Sequence, residues 1–187
     1  MSASLDDDVV QRVNDLGGIR WNGTVYRHTA GRRDPLSGAG ARINGGRWNP
    51  KGIFATLYLA EPVTTCLQEL DRLAATQGVD ATTLLAVPRR LHTITATNVG
   101  ILDLRTDDAL DQVGLRLDDI HDPDWTACQT VGHAAWFLEL TGIIAPSATG
   151  HGNVMALFES RIQPDQLTVV HSEILDSDLY ATLRGRR

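Results

Sequence analysis

The sequence predicts an α+β fold, and three observations carry that expectation. Two segments, 62–76 and 125–140, repeat apolar residues at helical spacing. From Thr83 onward much of the chain breaks into short runs rich in branched residues and threonine, the texture of strands. The two kinds of segment do not alternate as a doubly wound sheet requires, and neither a Gly-x-Gly-x-x-Gly turn nor a phosphate loop with Gly-Lys-Ser/Thr occurs. At 187 residues a single domain over 1–187 is expected, long enough for a substantial core.

Taken in order, residues 5–16 read as a short helix with acids in its first turn and Gly17-Gly18 at its end. Residues 24–28 read as a strand, and 30–46 as a long, polar, glycine-rich loop, the kind that in compact domains carries function. Residues 53–60 form a strand containing Tyr58. Pro62 opens a helix whose stripe is Val63, Cys66, Leu67, Leu70, Leu73 and Ala74. Residues 84–87, 91–95 and 99–104 are expected as strands, and 106–117 as a small acidic helix or ordered loop. Asp124 is the expected N-cap of the 125–140 helix, with Gly142 just past its end. Residues 143–145 and 153–158 read as strands around the turn Pro146 to Gly152. A strand over 167–174 and a short tail ending Arg184-Gly185-Arg186-Arg187 close the chain.

Composition narrows the function. The chain is acidic, with a net charge of -6, yet between Gly17 and Ala60 seven bases (Arg20, Arg27, Arg32, Arg33, Arg42, Arg47 and Lys51) face the single acid Asp34. That is a local +6, which leaves -12 on the remainder (-6 less +6). Such an island suits a compact phosphate ligand better than a nucleic acid, which favours a domain-wide basic surface. The competing reading is that arginine is simply this chain's surface cation, since Lys51 is its one lysine. Within the island, Gly45-Gly46-Arg47-Trp48-Asn49-Pro50-Lys51-Gly52 combines close backbone approach, positive charge and an aromatic face, and so suits an anionic ligand carrying a ring. Cys66 and Cys128, far apart on apolar segments, are expected as buried thiols, and the histidines lack metal-ligand spacing. The acidic N-terminus is unlike a secretory signal, so a cytosolic protein is expected.

Glu69 falls about 100° from the centre of its helix's apolar stripe, at the border between core and solvent. A carboxylate there can look into a cleft, although most such glutamates are simply solvated. His133 is expected as a packed histidine. Ser147 fits an ordinary turn serine, and no Gly-x-Ser-x-Gly elbow makes it a nucleophile.

Tyr26-Arg27, Gly45-Gly46-Arg47-Trp48-Asn49, Leu57-Tyr58-Leu59-Ala60-Glu61, Glu69, Gly142 to Ala148 and Asn153 to Phe158, in that order, together resemble the RES-domain family over about residues 20–172. The arginine, glutamate and serine for which the family is named fall on Arg27 or Arg47, Glu69 and Ser147. The resemblance implies a fold similar to ADP-ribosyltransferases: a split β-sheet core, two small facing sheets with flanking helices, and NAD⁺ in the cleft. It implies a toxin that depletes NAD⁺ by cleaving the nicotinamide–ribose bond without a cofactor: a phosphorylase, as in members that use inorganic phosphate as co-substrate, with a glycohydrolase or an ADP-ribosyltransferase as the alternative. Its partner would be an Xre-type helix-turn-helix antitoxin that covers the cleft. His28 after Arg27 and Cys66 in the helix depart from the family pattern without touching the named residues.

Under that resemblance Glu69 stabilises the oxocarbenium-like ribose or aligns its hydroxyls. Arg27 and Arg47 hold the pyrophosphate, with Lys51 a weaker third, and Arg32 and Arg42 are available for an acceptor phosphate. Tyr58 stacks on or orients the nicotinamide. Ser147 hydrogen-bonds the ribose or the nicotinamide amide. Water, phosphate or a macromolecular side chain are all acceptors that this chemistry allows, and a non-enzymatic module clasping RNA or a partner is the rival from another class.

Overall fold

A computed structural model describes residues 5–185. The last two arginines of the expected tail, Arg186 and Arg187, lie outside them. The elements run α1 (Asp7–Leu16), β1 (Ile19–Ala30), α2 (Ala39–Asn44), β2 (Thr56–Glu61), α3 (Val63–Thr76), α4 (Ala81–Leu85), β3 (Arg89–Asp103), α5 (Asp107–Gln112), α6 (Leu117–His121), α7 (Thr126–Phe137), β4 (Gly142–Pro146), β5 (Asn153–Phe158), β6 (Leu167–Ile174) and α8 (Ser177–Arg184). Helices and strands are mixed, as expected, without the alternation of a doubly wound sheet, and helix α2 lies within the expected 30–46 loop.

The strands form one sheet in the order β1-β2-β5-β4-β3-β6, and β1 pairs with β3 as well. The sheet thus curls until it meets itself, with β6 appended to β3. The long antiparallel pairing of β1 with β3 runs from Ile19↔Ile101 to Ala30↔Arg89. Closure on the other side of β1 is slender, a single register pair, Tyr26↔Ala60. The two facing sheets implied by the resemblance are accordingly joined into one continuous ladder.

Period-two alternation explains the curl. Val25, Leu57, Leu59, Ile94, Val99, Ile101, Ile144, Met155 and Leu157 point into the concave interior. Their neighbours Leu102, Leu104, Ile143, Ala145, Ala156 and Phe158 face outward and are covered by α1, α5 and α7. A third cluster, built on Cys66, Leu67 and Leu70 of α3, packs with Leu91, Leu175 and Leu183.

Four local expectations are corrected. Residues 84–87 are not a strand: the Asp80 carboxylate accepts from Thr83 N at 2.8 Å and caps α4, which takes in Leu84 and Leu85. The strands expected over 91–95 and 99–104 are one strand, β3, which runs through Asn98 at φ 52°, whose N–H is accepted by Asn22 Oδ1. Helix α7 ends at Phe137, because Glu139 adopts φ 63°. Gly142 is not its stop signal but the first residue of β4, where a Cβ would collide with the carbonyl of Ala156. Finally, residues 177–184 of the expected tail form α8, capped by Asp176.

Candidate active site

One cavity of about 570 Å³ is framed by β1, β2, the 45–50 loop, α3 and the turn after β4, a size typical of small-ligand sites. Arg27, Arg47, Tyr58 and Glu69 all line it.

The loop is built from within. Gly45 sits at φ 77°, and Gly46 exchanges main-chain hydrogen bonds with Asn49 at 3.0 and 3.2 Å. A Cβ on Gly46 would collide with Tyr58 Oη and Asn49 Oδ1, so only glycine fits beneath the tyrosine. The Tyr58 hydroxyl donates to Asn49 Oδ1 at 2.8 Å and accepts from Trp48 N at 2.9 Å. Burial pushes that phenol well above its ordinary value. Tyr58 thus offers the cavity its ring, while its hydroxyl pins the loop. Trp48 is 2 % exposed and packs with Phe54 and Phe158 in the outer core, so its role is anchorage rather than a free aromatic face.

The arginines are held by main-chain carbonyls. Arg27 donates to the carbonyls of Pro35 at 2.6 Å and Ser37 at 3.0 Å, which folds the glycine-rich segment back over β1. Arg47 donates to the carbonyls of Asp122 at 2.9 Å and Asp119 at 3.3 Å. Its guanidinium lies 5.6 Å from the centroid of the Trp125 ring, a cation–π distance. Burial lowers the pKa of both guanidiniums, yet arginine starts so high that the charge persists. His28, beside Arg89, is pushed down to about 4 by burial and by the neighbouring arginines, so it is neutral at pH 7.

Glu69 sits where the stripe of α3 places it, at the border of the buried face and toward the cavity. One carboxylate oxygen accepts from Ser147 Oγ at 2.8 Å, and the other from Arg72 Nε at 3.1 Å. Ser147 is 1 % exposed. Its Oγ also accepts from Thr149 N at 3.1 Å. Thr149 Oγ1 in turn donates to Gln68 Oε1 at 3.2 Å. The serine is hydrogen-bonded to the carboxylate and does not itself line the cavity.

Lys51 is exposed and absent from the cavity wall, and so are Arg32 and Arg42. The backbone of Lys51 packs against Gly45, yet its side chain does not join the cavity wall. Three residues escaped the sequence reading. Arg72 was accessible through its i,i+3 relation to Glu69 on one helix. Trp125 reaches the cavity only because α6 and α7 fold over the loop. Thr149 carried no signal beyond its place in the turn. Cys66 and Cys128 are buried free thiols pushed up to about 12 and about 11, and His133 packs against Phe54 and Trp136. Among the described residues, no helix is long and apolar enough to cross a membrane.

The arrangement places three guanidiniums and one carboxylate around a cavity with apolar patches at Leu59, Ala60 and Ala148. It suits a polyanionic ligand with a reacting carbon beside the acid.

A family model described as the RES domain matches residues 24–179. The chain is 46% identical over 185 residues to the NAD(+) phosphorylase MbcT of Mycobacterium tuberculosis (strain ATCC 25618 / H37Rv), spanning 99% of this chain and 100% of that protein. The NAD(+) phosphorylase MbcT of Mycobacterium bovis (strain ATCC BAA-935 / AF2122/97) is equally similar, at 46%. Among solved structures, the crystal structure of the M. tuberculosis MbcT-MbcA toxin-antitoxin complex aligns with a TM-score of 0.91 and 45% identity, over 97% of this chain and 99% of that one.

Proposed function

Because the chain belongs to the RES-domain family, we propose that it is an NAD⁺ phosphorylase. It breaks the bond between nicotinamide and ribose and passes the ADP-ribosyl group to inorganic phosphate. The products are nicotinamide and ADP-ribose 1″-phosphate. NAD⁺ is a substrate here, and the reaction needs no further cofactor.

The observation that carries this reading is Glu69 on the same cavity as Arg27 and Arg47, in a chain 46% identical along its length to proteins named for that activity. Guanidiniums suit the two phosphates of the dinucleotide. As the glycosidic bond lengthens, positive charge builds on the ribose, and a carboxylate fixed by Ser147 is preorganised to meet it. The departing nicotinamide takes the bonding electrons as a neutral ring, so no acid has to protonate it. The Tyr58 ring on the cavity wall gives that leaving group an apolar neighbour. Ser147 acts through Glu69 and is not a nucleophile, since no base is arranged to activate it.

The finer features belong to the same proposal. The closed sheet with its lateral cleft is read as similar to an ADP-ribosyltransferase core. Such an enzyme is toxic to a cell that depends on NAD⁺, and the solved relative is a toxin-antitoxin complex. We therefore place this chain in the cytoplasm as the toxin of a pair. Its partner is an antitoxin with an Xre-type helix-turn-helix that covers the cleft.

The test is to incubate purified protein with NAD⁺, with and without phosphate, and to identify products by liquid chromatography and mass spectrometry. Phosphate-dependent formation of nicotinamide and ADP-ribose 1″-phosphate is expected. Free ADP-ribose in both conditions makes water the acceptor, and intact NAD⁺ in both overturns the enzymatic reading.

A further inference from the structure

We propose that Arg72 is the seat of the attacking phosphate, and so the residue that makes the reaction phosphorolysis rather than hydrolysis. This rests on the reading of the cleft as an NAD⁺ phosphorylase site. Three guanidiniums line the cavity, those of Arg27, Arg47 and Arg72, and Arg72 differs from the other two. Arg27 and Arg47 are tied to main-chain carbonyls at 2.6–3.3 Å and fixed in place. Among the described residues the partner of Arg72 is Glu69 alone, through Nε at 3.1 Å, with side-chain exposures of 44% and 24%. An ion pair this open to water is readily exchanged for another anion.

Stoichiometry assigns the third guanidinium. The dinucleotide brings two phosphates, which match the two anchored arginines. The co-substrate brings a third anion, and the cavity has one unanchored cation left for it. Neutral His28 adds no charge to the wall, and Lys51 does not reach it. When phosphate displaces Glu69 from Nε, the guanidinium offers it a bidentate Nε–Nη edge. One turn of α3 separates Arg72 from Glu69, so a phosphate held there stands beside the carbon that Glu69 stabilises.

The step balances without a general base. A lone pair of a phosphate oxyanion forms the new C1″–O bond. The C1″–N bond breaks, its electrons neutralise the pyridinium nitrogen, and nicotinamide leaves. Nothing is oxidised or reduced. Phosphate arriving on Arg72 also releases the Glu69 oxygen that the arginine holds, freeing it for the ribose, while Ser147 keeps the other oxygen in place. Acceptor binding and readiness of the acid are thereby one event.

The test compares wild type, Arg72→Gln and Arg72→Lys with NAD⁺ across a phosphate titration, measuring both products and both KM values. In Arg72→Gln the KM for phosphate rises about tenfold or more, as expected for loss of a charge-assisted contact. Its KM for NAD⁺ changes by less than about threefold, and the product shifts from ADP-ribose 1″-phosphate toward ADP-ribose. Arg72→Lys, which keeps the charge without the fork, falls between the two. An unchanged phosphate KM and product ratio overturns the assignment, and so does a rise confined to the KM for NAD⁺. If wild type leaves NAD⁺ intact, the enzymatic reading fails first and the subsite with it.

Discussion

The two walls of the cavity are made differently. One wall, carrying Arg27, Arg47 and Tyr58, is tied down at every functional group: guanidiniums on main-chain carbonyls, the phenol between Asn49 and Trp48. The other wall, carrying Glu69 and Arg72, rides on the border of α3 and is joined by an ion pair that water can reach. Fixed donors bind well because little order has to be created when the ligand arrives. A replaceable ion pair suits a step in which one partner must let go. Under the proposed function, the contrast divides the cavity into a part assigned to holding substrate and a part assigned to the reaction.

Glu69→Gln gives the sharpest test of that division. It keeps shape and the Ser147 contact but removes the charge, and should lower turnover about 10²–10³-fold, in line with loss of a preorganised electrostatic group. Nicotinamide release by a folded variant within about threefold of wild type would erase the distinction between the walls. Arg47→Ala should act on binding instead: affinity for NAD⁺ falls by about 1.5–3 kcal/mol by calorimetry, with turnover at saturation less affected than in Glu69→Gln. Equal losses in both quantities would mean that the anchored wall takes part in the chemistry.

Tyr58→Phe sharpens the claim that the phenol is structural. It leaves buried Asn49 Oδ1 without that donor and Trp48 N without its acceptor, at a cost of about 1–3 kcal/mol. For a chain of this length the melting temperature should drop by roughly 2–10 °C in calorimetry. An unshifted melting curve with lost activity would return the hydroxyl to the substrate. Lys51→Ala is the smallest effect expected. Affinity and stability should stay within about 0.5 kcal/mol of wild type, and a larger loss of NAD⁺ affinity would place this exposed side chain on the ligand.

Much of this was legible in the chain itself, wherever the signal was local. The stripe Cys66, Leu67, Leu70 and Ala74 set α3 and thereby the border position of Glu69. The turn between Pro146 and Asn153 joined β4 and β5 as expected. What stayed hidden depended on partners distant in sequence. Ser147 faces Glu69, 78 residues away, and Arg47 is held by carbonyls more than 70 residues downstream. Nothing local records such meetings. Two misreadings were local: the Asp80 cap draws Leu84 and Leu85 into α4, and the polar Thr97-Asn98 step between two apolar runs lies inside one strand. Lys51 lies outside the cavity wall, although Gly45 to Trp48 of the same segment line it.

The curled sheet is a hoop fastened at one narrow seam, the pair Tyr26↔Ala60 between β1 and β2. Both residues of the seam border the cavity, and so do Arg27 and Leu59 beside them. A ligand in the cavity therefore lies next to the fastening. A ligand that binds only the closed sheet stabilises that closure by mass action.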